Sequence, residues 1–441
     1  MLKRFAVLLA IIGFTFTVYA QDTAEVQPVA SLESCPVPEA SGKLEVWLGG
    51  DVWDPVFAEF QRACPNLEIA SGAREWSDIQ TQVQLAITAG TGGCDLCPLE
   101  QKDISKFVYG GGLLDITERV QPYKDQISPG SWASVTGPDG KIYGLPSDVG
   151  PVVMYYRRDV FEQAGLASDP DSVSEMVATW QDYLNVCKTI KDATGLYCFQ
   201  NSKANNDARM FEMMLWSQGQ GYFDDAGNLA VASPTNVATL ELMGQFWQDD
   251  LVTDFNSWTD EWYAGFSSLD NPVASIVIAG WMEMFLPTWI APDTAGLWGV
   301  ARMPGGTTAG SARAALDGGS ALFIPKHSQQ ADAAWALMEY MSLNYDNVLW
   351  ARTQHGLFPA LTQTYDDPAL QEPAAFFGGQ VVNPLYLEVL NEVPQANIWG
   401  PNYTMINEVV SVGIQRYATG EVSAEAALQA AQEEIAANLS N

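Results

Sequence analysis

The 441-residue chain is short of positive charge and nearly devoid of histidine. It carries 21 Lys and Arg against 53 Asp and Glu, with two His, for a net charge of −32. Nucleic acids and anionic membrane surfaces are bound through clustered Lys and Arg, so the deficit argues against both and disfavours anionic ligands unless a local basic site overrides it. With His327 and His355 alone, Ser–His chemistry and multi-histidine metal centres are nearly excluded on inventory, and no Gly-x-Ser-x-Gly elbow occurs. The eightfold strand–helix repetition of a barrel is missing, as are internal repeats and low-complexity segments. Past residue 20 no run reaches the roughly 18 apolar residues of a membrane-spanning helix.

The N-terminus is different. Lys3 and Arg4 precede an apolar run over 5–18, and Val18-Tyr19-Ala20 has the small residues of a cleavage site. Residues 1–20 read as a secretory signal peptide cleaved after Ala20, with an apolar core too short for a membrane anchor. Cys35 lies too far downstream to carry a lipid. Cleavage removes two basic and no acidic residues, leaving 19 against 53 and a net −34. The mature chain is expected in the periplasm or at the cell exterior.

That compartment is oxidising, and all six cysteines (Cys35, Cys64, Cys94, Cys97, Cys187, Cys198) lie in the mature chain, so disulfides are expected. Cys187 and Cys198 bracket a helix end that turns back at Gly195 and form the clearest pair. The CxxC spacing of Cys94 and Cys97 lacks a thioredoxin-like or zinc context. On a strand the two would face opposite ways, so their pairing requires a turn, and Cys35 and Cys64 are alternative partners.

At this length two domains are the default. Strands are expected at 43–48, 67–70 and 96–99, with helices at 54–63 and 77–89. This alternation argues for a parallel sheet covered by helices on both faces. Further helices are expected at 180–193, 207–218, 234–249, 330–343, 402–417 and 423–439, and strands at 274–278, 298–302 and 316–324. Residues 21–42 read as a loose arm tethered at Cys35. Within 139–166 a strand to Pro146 and a second from Val149 to Tyr156 meet through Ser147-Asp148-Val149-Gly150, as a hairpin or as a crossing between domains.

Several segments, in order, carry a resemblance. Lys43-Leu44-Glu45-Val46-Trp47 with Gly49-Gly50-Asp51 is followed by Gly110-Gly111-Gly112-Leu113-Leu114-Asp115-Ile116-Thr117 and by the segment 139–166. Then come Ile278-Ala279-Gly280-Trp281, Asp317-Gly318-Gly319-Ser320 and Gly356-Leu357-Phe358-Pro359-Ala360. Together they resemble the extracellular solute-binding proteins of ABC importers, most closely the sugar-binding, maltose-binding-like branch. The resemblance implies an α/β, two-lobed periplasmic-binding-protein type II fold with a central sheet flanked by helices in each lobe and three interlobe crossings. Lobe one would hold 43–148 and 320–356, and lobe two 149–319 and 357–441. It also implies a non-catalytic monomer without cofactor or metal, which closes on a carbohydrate and docks on the permease subunits. Gly150 stands where several relatives carry a larger residue, so it is assigned to the backbone.

Open α/β sheets bind ligands beyond the carboxyl ends of their strands. There stand Asp51, Glu100, Gln101, Asp103 and Asp148; carboxylates bond hydroxyls strongly, although Asp51 and Asp103 are equally placed to cap helices. Sugar rings lie well on flat aromatic surfaces, which makes Trp281, Trp53, Trp216, Trp399 and Tyr403 stacking candidates against ordinary core packing. Gly318 and Gly319 would let backbone approach the ligand. Alternative readings are a secreted glycoside hydrolase, or the same fold holding a polyamine or a ferric ion. The iron reading would use Tyr155 and Tyr156, whose adjacency on a strand turns them apart.

Overall fold

A computed structural model describes residues 29–440 apart from 49–51, 73, 75, 206–207, 225, 307–310, 394–399 and 401. The signal-peptide reading, Asp51 and Trp399 therefore lie outside the described residues.

The first block runs β1 (Gly42–Val46), α1 (Asp54–Ala63), β2 (Leu67–Ser71), α2 (Trp76–Ala89), β3 (Cys97–Glu100) and α3 (Gln101–Gly110). Two short helices, α4 (Thr117–Val120) and α5 (Pro129–Ser134), lead into β4 (Gly144–Arg157). Next come α6 (Arg158–Gln163), α7 (Pro170–Met176), α8 (Trp180–Thr194), β5 (Phe199–Gln200), α9 (Arg209–Trp216) and α10 (Pro234–Gln248). They are followed by β6 (Val252–Thr253), α11 (Asp260–Ser267), β7 (Ser275–Ala279), α12 (Met282–Phe285), β8 (Trp298–Arg302) and β9 (Leu316–Phe323). The chain finishes with α13 (Ala331–Ser342), α14 (Tyr345–His355), α15 (Asn383–Glu392), α16 (Tyr403–Ala418) and α17 (Ala424–Leu439).

Segment 139–166 holds neither a hairpin nor two strands. It contains one 14-residue strand, β4, that changes partners midway. Its first half pairs antiparallel with β9, with register shifts on either side of Asp148 and Val149. Its second half lies between β7 and β8, again antiparallel. Alternate residues there point to opposite faces, and both faces are buried. Val153 and Tyr155 enter one hydrophobic cluster, while Val152, Met154 and Tyr156 enter another. Burial on both sides is why the sequence reads as an unbroken apolar run.

The expected all-parallel sheet gives way to a mixed one. Among the described residues, parallel pairing is limited to β1–β2, β5–β6 and two isolated bridges, Val46 with Leu96 and Thr179 with Gly305. The larger sheet, β3-β9-β4-β7 with β8 beside β4, is antiparallel throughout. β9 arrives late in the chain and inserts between β3 and β4, a neighbour that local alternation does not announce.

Three disulfides join Cys35 to Cys64, Cys94 to Cys97 and Cys187 to Cys198. The CxxC pair closes because β3 starts only at Cys97, leaving the required bend ahead of the strand. The described part of the N-terminal arm is docked rather than loose. Besides the bond from Cys35 to Cys64, the Ala30 amide donates to Asn347 Oδ1 at 2.8 Å and the Leu32 amide to Glu59 Oε1 at 2.7 Å.

Candidate ligand cleft

Three stretches lie side by side where β4 changes partners. Asp148 and Val149 on β4 pair with Ser320 and Gly319 on β9. On the other side the Val149 amide donates to the Phe358 carbonyl at 2.9 Å, and the Ala360 amide to the Ser147 carbonyl at 3.2 Å. Gly150 is confined to backbone use: a Cβ there would sit 2.1 Å from the Asp317 carbonyl oxygen. Gly318 and Gly319 have φ of +73° and +94°, values that L side chains resist.

Immediately beside this ribbon is a cavity of about 80 Å³. Glu100 at the end of β3 and Lys102 on α3 line one wall, with Asp317 and Gly318 of β9. Arg209, Glu212 and Trp216 from α9, and Tyr403 and Asn407 from α16, complete the lining. Glu212 is only 2% exposed and accepts bonds from Tyr222 Oη (2.7 Å), Tyr403 Oη (2.6 Å) and Asn407 Nδ2 (2.9 Å). Burial, with Glu212 beside it, holds the Tyr222 phenol far above its usual pKa. Lys102 pairs with Glu100 at 3.0 Å and Arg209 with Asp317 at 3.6 Å. Burial works against the Lys102 ammonium, yet Glu100 holds its pKa above the ordinary value. Fixed acceptors and donors thus alternate around a small space, an arrangement suited to neutral groups that both donate and accept.

Trp281 stands beside the cavity, its indole Nε1 donating to the Asp317 carbonyl at 3.0 Å. A second chamber of about 70 Å³ shares Arg209 with the first and is walled by Asn201, Met210, Met213 and Trp258. Trp258 is packed 5.7 Å from Trp281, centroid to centroid.

Of the residues singled out from sequence, Glu100, Trp216, Gly318 and Tyr403 meet on this one cavity, with Trp281 at its edge. Gln101 is buried behind Gly319. Asp103 is 4% exposed on α3, the helix that packs on α16. Burial raises its pKa to about 6, and no side chain caps α3, so the capping role considered for Asp103 is not the one it plays. Trp53 and Asp148 share a separate recess of about 20 Å³. The Asp148 carboxylate accepts from Ser320 Oγ and, at 3.0 Å, from Ser147 Oγ, and burial raises its pKa to about 6. Tyr155 and Tyr156 diverge as the strand requires. Tyr155 Oη bonds with Tyr386 Oη at 2.8 Å, whereas Tyr156 Oη donates to the Ser168 carbonyl at 2.7 Å.

A model of the family described as bacterial extracellular solute-binding protein matches residues 48–344. The chain belongs to that family. Membership makes it a secreted or periplasmic protein, and among its described residues no helix is long and apolar enough to cross a membrane. This solute-binding protein is 25% identical to an arabinooligosaccharide-binding protein of Halalkalibacterium halodurans, over 88% of this chain and 87% of the relative. A lactose-binding protein of Rhizobium radiobacter is likewise 25% identical, over 82% and 85% of the two chains. Among solved structures, an ABC-transporter-associated binding protein from B. animalis subsp. lactis in complex with β-1,6-galactobiose superposes with a TM-score of 0.76 at 24% identity, covering 90% of this chain and 97% of that one. The lacto-N-biose complex of a Bifidobacterium longum binding protein gives 0.73 at 21% identity, covering 91% and 97%. The likeness establishes the type II periplasmic-binding-protein fold. The family and these relatives are binding proteins rather than enzymes.

Reading the sequence did not find Arg209, Glu212, Asn407 or Trp258. For Glu212 a signal existed: it is the lone carboxylate in the apolar helix segment RMFEMMLW, where a charge on the buried face needs partners. Among the described residues no group of three or more His, Cys, Asp or Glu is placed to hold a metal ion.

Proposed function

We propose that this solute-binding protein is the capture subunit of an ABC importer and takes a di- or oligosaccharide into the cleft between two lobes. The lobes would be 43–148 with 320–356, and 149–319 with 357–441. They would close about the paired stretches near Asp148–Gly150, Gly318–Ser320 and 356–358, and the closed monomer would then dock on the permease subunits. The observation that carries the reading is the Glu212 network sharing a small cavity with Glu100 and Asp317, with the Trp281 indole bonded to the Asp317 carbonyl beside it. Hydroxyls satisfy such fixed donors and acceptors, and a sugar's C–H face lies on the indole. Glu100, Trp216, Trp281, Gly318 and Tyr403 are the proposed contacts, joined by Arg209 and Asn407. The names of the curated relatives support a carbohydrate. Lys102 and Arg209 offset the cleft carboxylates, which weakens the polyamine alternative, and the divergence of Tyr155 and Tyr156 weakens the ferric one. Export would follow cleavage after Ala20.

Thermal-shift screening of the purified chain against a carbohydrate panel tests this. A bound sugar raises the melting temperature by mass action on the folded state. Steady release of product from a glycan, with no shift for any sugar, would replace binding by hydrolysis.

A further inference from the structure

One helical run leaves the cleft carrying an aromatic on every turn. Trp281, Phe285 and Trp289 are spaced four residues apart, so they share a face of α12 and its continuation. Their rings form a chain, with centroids 5.5 Å apart from Trp281 to Phe285 and 5.6 Å from Phe285 to Trp289. The continuation, Leu286–Ile290, is a π-helical turn closed by the Ala291 amide on the Leu286 carbonyl, a form that concentrates at functional sites. Along one side run Trp258, 6.2 Å from Phe285, and Tyr263, 5.0 Å from Trp289.

Packing alone does not account for this band. Its outer members stay in solvent, Trp289 at 49% and Trp258 at 41% exposure. Trp258 also holds a φ of +67°, an unfavourable conformation for a bulky residue. An ordinary core would bury both indoles and relax the backbone. Here the strain sets an indole that lines the second chamber, 5.7 Å from the Trp281 ring beside the first. The rings succeed one another at 5.5 and 5.6 Å, comparable to the distance between successive rings of a glycan.

Building on the carbohydrate reading, we propose that the band Trp281–Trp258–Phe285–Trp289 is an outward extension of the cleft. It receives the distal units of an oligosaccharide whose first units sit inside, with Trp289 as the outermost platform. The protein would then select by chain length: short sugars use the cavity and Trp281, and only longer ones reach Trp289.

Calorimetric titration of the full chain with arabino-, galacto- and malto-oligosaccharides of two to six units tests this. In the series that binds, affinity should rise at least tenfold from the dimer to the tetramer or pentamer. Trp289→Ala and Trp289→Leu should abolish most of that rise while changing dimer affinity less than twofold; Leu keeps apolar contact with Phe285 and Tyr263 but offers no flat ring. Trp289→Tyr should retain the rise. Affinity independent of length, or a loss in Trp289→Leu that is equal at all lengths, overturns the extension and leaves the carbohydrate reading standing. No binding by any of the three series overturns both.

Discussion

Glu212 shows at the scale of a single residue how this cleft is built. A carboxylate inside an apolar helix is expensive to bury, and three donors from α16 and the Tyr222 loop make it tenable. Glu212→Leu removes the acceptor these donors share. We expect a loss of ~2–4 kcal/mol in urea unfolding and weaker ligand binding, whereas a surface Glu433→Leu should unfold like the parent. Gly150 is the opposite case, and it was legible: its place in the crossing assigned it to the backbone, and the carbonyl of Asp317 leaves no room for a Cβ. Glu212 was less so. A lone charge in an apolar helix signals a partnered site but not the partners, which come from residues 10 to 195 positions away.

At the scale of elements, β4 carries the architecture. Gly150→Ala should push β4 and β9 apart and destabilise the protein by ~3 kcal/mol, measured as a shift in the unfolding midpoint. Gly130→Ala is the control: the site is open and in a short helix, so stability should hold or rise by ~0.5 kcal/mol. Elements with their own signals were read closely from sequence. α1 and β8 fall on the expected residues 54–63 and 298–302: Pro55 and Cys64-Pro65 punctuate the first, and the second is a short run buried at its first four positions. α14 went unread because its buried residues, at 347, 348 and 350–352, wrap around the helix and form no single stripe. The antiparallel pairing went unread for another reason: β9 reaches β3 and β4 across more than 150 residues, and periodicity reports a strand's exposure without naming its neighbour.

At the scale of the whole molecule, charge and closure set the behaviour. Burial raises Asp103 and Asp148 to about 6, while hydrogen bonds and cations hold Glu59 and Asp115 at about 2. An unfolded carboxyl titrates near ~4. Between pH ~6 and ~4 the folded state therefore holds protons at Asp103 and Asp148 that the unfolded chain lacks, so stability rises as pH falls. Below ~4 the unfolded chain takes protons that Glu59 and Asp115 refuse, and stability falls. His355, lowered by burial, opposes the gain on the acid side of its ordinary pKa. Melting temperature should thus peak near pH ~4–5; Asp103→Asn should melt higher than the parent at pH 7 and show a smaller acid gain. Closure brings in the ribbon of three backbones beside the cavity. Domain hinges are commonly loose loops, whose amides exchange with solvent almost freely. Here the Val149 amide on β4 is tied to the Phe358 carbonyl of the neighbouring segment, and the Ala360 amide of that segment to the Ser147 carbonyl on β4. Lobes joined this way would pivot by twisting a hydrogen-bonded ribbon, as a torsion spring does, with no melting of its ladder. Deuterium uptake at Val149 and Ala360 should accordingly be slow with and without sugar, and ligand protection should appear instead on α3, α9 and α16, the helices that line the cavity.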